Sequence, residues 1–463
     1  MSMEKKGLDI STRCFVTAIA VLLVLMILTY ALTFLIPAGQ YPRIVTEAGE
    51  TVIDTAAEFR YVEGGISFLR WLLSPVLVLG AAGSGTLIAV IVFLLVVGGI
   101  FNALEKGGLM QYMLGRLSVR FGHARYRLMA VVVLFFMSMG AFIGSFEECV
   151  PLVPLVVALS IRLGWDALTG LGMSLLAAGC GFASGVCNPF TVGLAQQVAG
   201  LPMFSGIGNR LLCFALIYGL LLAFLRHHAK KIERPAETAA AESEAASPEK
   251  KRGLCAFAAI MGVGIALVLC SAVVPALQDL TMIIVAVMFL TAGVAAVLLS
   301  GMTGKELGRH FLNGLVSILP AVGMILMASS IRFTMEEAGI LDTILHAAVQ
   351  TASVLPQWVV ILFIYLLVLG MNFFISSGSA KVFLMMPLIL PMAEIFGISA
   401  QLCVSAFAFG DGFSNVFYPT NPVLLISLGL ANVSYGKWVK WSLPFQLLNL
   451  LMTSLLLLGG LFI

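Results

Sequence analysis

Charge is what this sequence has least of. Asp, Glu, Lys and Arg make up 11% of its 463 residues, and histidine occurs five times. Soluble domains carry about 25% charged residues. That scarcity, with 60% hydrophobic residues and a mean hydropathy of +1.06, excludes an ordinary water-soluble fold. Catalytic signatures are missing too. There is no H-E-x-x-H, and no G-x-S-x-G accompanied by a buried His/Asp pair; the histidines lie in loops or near the ends of apolar segments. An intramembrane enzyme would be left with a Ser379/Lys381 dyad, in an element whose repeat partner has no such pair. The eight cysteines show neither C-x-x-C nor Cys/His metal spacing. They read as small buried hydrophobes.

Long apolar runs are what the chain does have. Cys14–Ile36, Ser84–Leu104, Gly206–Leu225, Leu254–Pro275, Leu280–Ser300 and Ser442–Ile463 each exceed the roughly 18 residues of a membrane-span candidate. The first run is longer than the roughly 7–15 residues of a signal-peptide core and reads as a retained span. The class is an all-α polytopic membrane protein with the lipid bilayer as its surroundings. Its expected location is the bacterial cytoplasmic (inner) membrane. Lys5, Lys6 and Arg13, the basic loop Lys106–Arg127, the tract from Arg226 to Arg252, and the loops holding Lys305, Arg309, Lys437 and Lys440 all fall on one side. That obeys the positive-inside rule and makes that side cytoplasmic. Basic residues flanking spans set topology, so no nucleic-acid partner is implied. The opposite loops, Gly39–Gly65 and Phe333–Pro356, hold only Arg43 and Arg60.

Residues 227–252 are polar and of low complexity, and read as a cytoplasmic linker between a first membrane half, 1–226, and a second, 253–463. The halves resemble each other. I-F-N-A-L-E-K-G-G-L-M at Ile100–Met110 matches I-R-F-T-M-E-E-A-G-I-L at Ile331–Leu341. G-C-G-F-A-S-G-V-C-N-P at Gly179–Pro189 matches G-D-G-F-S-N-V-F-Y-P-T-N-P at Gly410–Pro422. Between these matches each half has an interrupted apolar stretch, expected to fold as a re-entrant hairpin at 127–162 and at 358–395. Two full spans per hairpin would also fit the lengths. An extra span at Leu254–Pro275 inverts the second half. Inverted repeats with broken helices are the plan of many secondary transporters, whose sites lie near the midplane.

Candidate chemistry sits at the interruptions. Glu147 and Glu148, in G-S-F-E-E-C-V-P-L-V-P, are costly at about 2.5–3.5 kcal/mol per central charge unless paired or functional. Adjacent like charges favour retention of a proton; hydrogen bonding at a helix start would be the structural alternative. Lys381 could neutralise a Glu across the bundle, meet a substrate carboxylate, or snorkel to an interface. Ser377, Gly378 and Ser379 suit a tip that brings bare amides to an anion. Asn188 and Asn421 precede the helix-breaking Pro189 and Pro422. Carbonyls freed there need partners. Ser184, Asn188, Asp411, Ser414 and Asn415 are the oxygens expected to hold a sodium ion; a plain helix kink would need none of them. Asn372 is a further candidate for the second hairpin.

These segments, with N-F-F-I-S-S-G-S-A-K and Y-G-K-W-V-K-W, resemble the YfcC branch of the DcuC-like four-carbon-dicarboxylate carrier family over nearly the whole chain outside the linker. The resemblance implies secondary transport by an elevator motion, in which a domain carrying both hairpins moves past a scaffold. It also implies a small charged substrate: a basic amino acid exchanged as arginine or ornithine would be, or alternatively a four-carbon dicarboxylate. A sodium ion or a proton is the expected coupling ion, no cofactor is expected, and a homodimer is the assembly considered. Three acids (Glu147, Glu148, Asp411) against one lysine tilt the substrate toward a cation. A channel would instead show unsaturable flux.

Overall fold

The computed structural model describes residues 12–45, 51–54, 57–81, 84–121, 124–144, 146–235, 247–271, 281–352 and 355–462. Part of the expected linker, 236–246, lies outside them, as do the end of the Leu254–Pro275 span and Ser145. The apolar runs form helices because hydrocarbon offers backbone groups no other partners. Among the described residues seven helices are long and apolar enough to cross a membrane, and four shorter apolar helices accompany them.

In the first half, α1 (Thr12–Leu35) leads to two short antiparallel strand pairs, Gly39–Gln40 with Arg60–Tyr61 and Arg43–Val45 with Thr51–Ile53. Then come α2 (Ser84–Lys106), α3 (Leu109–Phe121), α4 (Arg125–Ser138), α5 (Val153–Arg162), α6 (Ala177–Ser184) and α7 (Ile207–Ile232). After the linker follow α8 (Pro248–Ser271), α9 (Thr281–Leu299), α10 (Gly304–Glu337), α11 (Leu341–Ala352), α12 (Gln357–Asn372), α13 (Gly378–Ile395), α14 (Ala400–Ser414), α15 (Pro422–Leu430) and α16 (Tyr435–Gly459).

Two bodies can be distinguished. In one, α1, α2, α8, α9 and α10 pack on each other; the other gathers α4, α6, α7, α12, α13, α14 and α16. They meet where Val150–Pro154 and α15 lie against α2 and α10, around an apolar cleft lined by Leu94, Phe101, Pro151, Pro154, Ile318 and Leu430.

Both interrupted stretches fold back on themselves. Arg125 Nη1 donates to Leu163 O at 3.1 Å, closing the base of the first hairpin, and Gln357 Nε2 donates to Gly397 O at 3.3 Å, closing the second. The first stretch runs from Arg125 to Arg162 and the second from Gln357 to Ile395. The bases lie at opposite ends of α7. Arg234 N, beyond its last turn, donates to Gly164 O at 2.9 Å, whereas Ser205 O, just before its start, accepts from Gln401 Nε2 at 2.8 Å. At 1.5 Å per residue, the 26-residue helix separates them by about 39 Å.

The loops expected on the side away from the basic residues do meet. Asp342 accepts from Tyr41 N at 2.9 Å and pairs with Arg43 at 3.1 Å, while the Phe59 ring stacks on His346. Three expectations need correction. The basic loop expected at Lys106–Arg127 is mostly helix, Arg116 and Arg120 lying in α3. Phe333–Pro356 is mostly helix, in the end of α10 and in α11. Lys305 and Arg309 lie in the first turns of α10, not in a loop, because Thr303 and Glu306 form a capping box that starts the helix ahead of them. Lys437 and Lys440 likewise lie within α16.

Candidate functional site at the two helix breaks

Each half breaks its long helix and restarts it with an asparagine cap followed by proline. α6 ends at Gly185, in the left-handed region at φ +49°, and Asn188 then caps the next turn by accepting from Phe190 N at 2.9 Å, with Pro189 at its first position. α14 ends at Ser414, and Asn421 caps α15 by accepting from Val423 N at 2.9 Å, with Pro422 following. Proline suits a first helical position, where its missing N–H has no partner to lose. The broken helices cross at close range: a methyl on Gly412 would lie 2.3 Å from Ala183 Cα, and one on Gly181 would lie 1.9 Å from Met137 O. Glycine is therefore required where the first break meets the second and where it meets the first hairpin.

The hairpin tips converge on these breaks. In the first, Met139–Ile143 forms a wide helical turn, Gly144 takes φ +74°, and Glu147–Leu152 is a 3-10 turn. Cys187 N donates to Ala141 O at 2.9 Å, and Gly144 lies directly against Asn188 Oδ1. Glu147 is half-buried and within electrostatic reach of Asp411. The backbone of Glu148 belongs to the same turn; its side chain lies outside those described. In the second hairpin Ser377 caps α13 by accepting from Ala380 N at 3.4 Å, and Ser379 Oγ is 3.4 Å from Ser377 Oγ. Gly378 packs against Asp411 Oδ2 and Thr191.

Lys381 is wholly buried and does not snorkel. Its ammonium pairs with Asp411 Oδ1 and donates to Asn372 Oδ1, with both charged side chains fully shielded. Asn372 Nδ2 in turn reaches Ser414 Oγ at 2.6 Å, Asn415 Oδ1 at 2.9 Å and Asp411 O at 3.1 Å. Asn415 Oδ1 also accepts from Asn421 Nδ2 at 2.9 Å. One connected network thus holds Lys381, Asn372, Asp411, Ser414, Asn415 and Asn421. Ser184 and Asn188 bond within their own half, Ser184 Oγ donating to Gly181 O at 2.7 Å.

Protein groups also meet the carbonyls that the breaks release. Val186 O accepts from Arg210 Nε at 3.2 Å in the first half. In the second, Val416 O accepts from Trp438 Nε1 at 2.8 Å and Phe417 O from Tyr435 Oη at 3.0 Å. Around the tips, Asp411 Oδ2, Thr191 Oγ1, Thr420 Oγ1 and Asn188 Nδ2 are buried without a hydrogen-bond partner. Unpaired buried groups of this kind are costly.

A family model described as C4-dicarboxylate anaerobic carrier, DcuC, matches residues 15–461. The chain belongs to the DcuC family. A relative from Escherichia coli (strain K12), YfcC, provisionally named as a basic amino acid antiporter, is 30% identical over 81% of this chain and 78% of its own. An uncharacterised protein of Haemophilus influenzae (strain ATCC 51907 / DSM 11121 / KW20 / Rd) is 23% identical over 96% of each chain. Two solved structures are similar more distantly. They are the Alcanivorax borkumensis YdaH transporter (TM-score 0.49, 19% identity, 96% of this chain and 98% of that one) and Neisseria gonorrhoeae MtrF (TM-score 0.47, 17%, 95% and 94%). The molecule is thus a membrane carrier of the DcuC family.

Three residues at the breaks of this DcuC-family carrier are silent in sequence. Thr191 and Thr420 stand beside motif residues but have the composition of ordinary core threonines. Arg210 ends no span and matches nothing in the repeat, yet it is only 2% exposed.

Proposed function

We propose that this carrier exchanges basic amino acids, binding the cationic end of the substrate between the two hairpin tips. The observation that carries the reading is the centre itself. Two carboxylates, Glu147 and Asp411, lie within electrostatic reach there, and Asp411 already receives a primary ammonium, that of Lys381. A centre whose oxygens accept from one alkylammonium has the charge and acceptor chemistry to meet another, and the similarity to YfcC agrees. The unpartnered Asn188 Nδ2 and the amides of the α13 start are suited to the substrate α-carboxylate. The apolar cleft between the two bodies supports an elevator motion, since surfaces without fixed polar pairs slide at low cost. Those same amides also favour the second reading, a four-carbon dicarboxylate, in line with the family description.

Proteoliposomes loaded with arginine, ornithine, lysine or succinate distinguish the two. Saturable counterflow of the amino acids, and none of succinate, is expected; succinate counterflow alone would overturn the basic-substrate reading. Glu147→Gln is expected to lower amino-acid counterflow at least about tenfold, the scale of one weakened charge contact, with the yield of folded protein unchanged.

A further inference from the structure

In the second half the oxygens that would cage a sodium ion are already occupied by protein donors. We propose that Lys381 is a tethered cation that fills this place, so that the carrier works without sodium. The inference rests on the carrier assignment and is independent of which substrate is carried.

A sodium ion needs several oxygen lone pairs directed at one point. Ser414 and Asn415 offer oxygens at the break, Asp411 offers charge, and Asn372 a carbonyl from the facing hairpin. Each is engaged. The Lys381 ammonium takes Asp411 Oδ1 and Asn372 Oδ1. Ser414 Oγ donates to Gly410 O at 2.8 Å and accepts from Asn372, and Asn415 Oδ1 accepts from two side-chain amides. The positive charge therefore sits where an ion's would, on a stem rooted in the first turn of the second hairpin.

The first half supports this independently. Its position equivalent to Asp411 in the G-x-G-F match is Cys180, so the broken helix of the first half itself carries no carboxylate at that position. The freed Val186 carbonyl is met by Arg210, whose Nη2 also donates to Ser205 O at 2.7 Å. Both breaks thus carry a protein-borne cation, and the backbone oxygens named at the second break are covered by Trp438 and Tyr435.

The test is thermal unfolding of the purified full chain in detergent, in sodium chloride against choline chloride at equal ionic strength, without substrate. Wild-type protein is expected to show the same Tm in both. Lys381→Ala, which empties the site and leaves Asp411 uncompensated, is expected to gain a saturable, sodium-specific rise of at least about 3 °C. Lys381→Ala/Asp411→Asn, which removes both charges, is expected to fold and to ignore sodium. Sodium-specific stabilisation of the wild type would overturn the proposal, as would a Lys381→Ala protein indifferent to sodium. Should that variant fail to fold in either salt while the double variant folds, the proposal also falls, because sodium would not then replace the ammonium. A failure of amino-acid counterflow would leave all these outcomes unchanged, so the two readings are separable.

Discussion

The first and second breaks restart their helices with the same asparagine–proline pair and differ in charge. Both use an asparagine cap, a proline at the next position, glycine-mediated close packing and a hairpin tip pressed against the gap. Only the second has an acid and a lysine at its centre; the first has Cys180 at the matching position and draws Arg210 from a neighbouring helix. A duplicated cap is thus compatible with unequal chemistry: each half surrounds the same asparagine–proline pair with different side chains.

The sharpest way to break this comparison is to remove its charge. Asp411→Asn leaves a buried ammonium without its counter-ion and is expected to lower stability by about 3–5 kcal/mol. Cys180→Ala, at the matching position, should cost no more than about 1.5 kcal/mol. Denaturant unfolding in micelles measures both, and equal losses would mean that the pair contributes no more than its packing.

The covered carbonyls come next. Arg210→Met and Trp438→Phe each leave a buried carbonyl without its donor, and each should cost about 1–3 kcal/mol. Similar values would show that a charged and a neutral donor serve the same purpose. A much larger loss for Arg210 would give it a role beyond capping Val186 O. Where the halves are alike, the effects should be alike. Asn188→Ala and Asn421→Ala are expected to cost about 1 kcal/mol apiece, the usual value of an N-cap.

The smallest effect separates the hairpin bases. Asp166 caps the helix after the first hairpin, accepting from Thr169 N at 2.8 Å and from His228 at 3.2 Å; Ser399 occupies the corresponding place after the second. Burial alone would raise the Asp166 carboxyl, but His228 and then Thr169 outweigh it and hold the group below its ordinary 3.8. A lowered folded value means that its stabilisation is complete above the unfolded value and disappears as pH falls through the folded one. Tm should therefore decline below about pH 4 more steeply in the wild type than in Asp166→Ser, which gives the first base the residue type of the second. Parallel pH curves would remove the difference between the bases.

How much of this was legible depends on the scale of the signal. The apolar helices follow from hydropathy, and their breaks from proline and glycine, which act on the backbone and leave marks over many residues. The partner of Lys381 left no such mark. Its ammonium had three open destinations, and the choice of Asp411 depends on helix phase and on Asn372 bridging two hairpin arms. Arg210 was harder still, because one arginine near the start of an apolar run is indistinguishable from a snorkelling one until Val186 O is placed beside it. Lys305 and Arg309 were displaced from a loop by local capping at Thr303, a short-range pattern that the charge rule does not weigh.

A last consequence follows from α7, which touches the base of one hairpin at its start and the base of the other at its end. Such a strut fixes the distance between the two gates. In the elevator motion proposed above, the two bases would travel together with this helix as one body. Spin labels at the two bases would keep one separation throughout the transport cycle, while a pair spanning α7 and α10 would not.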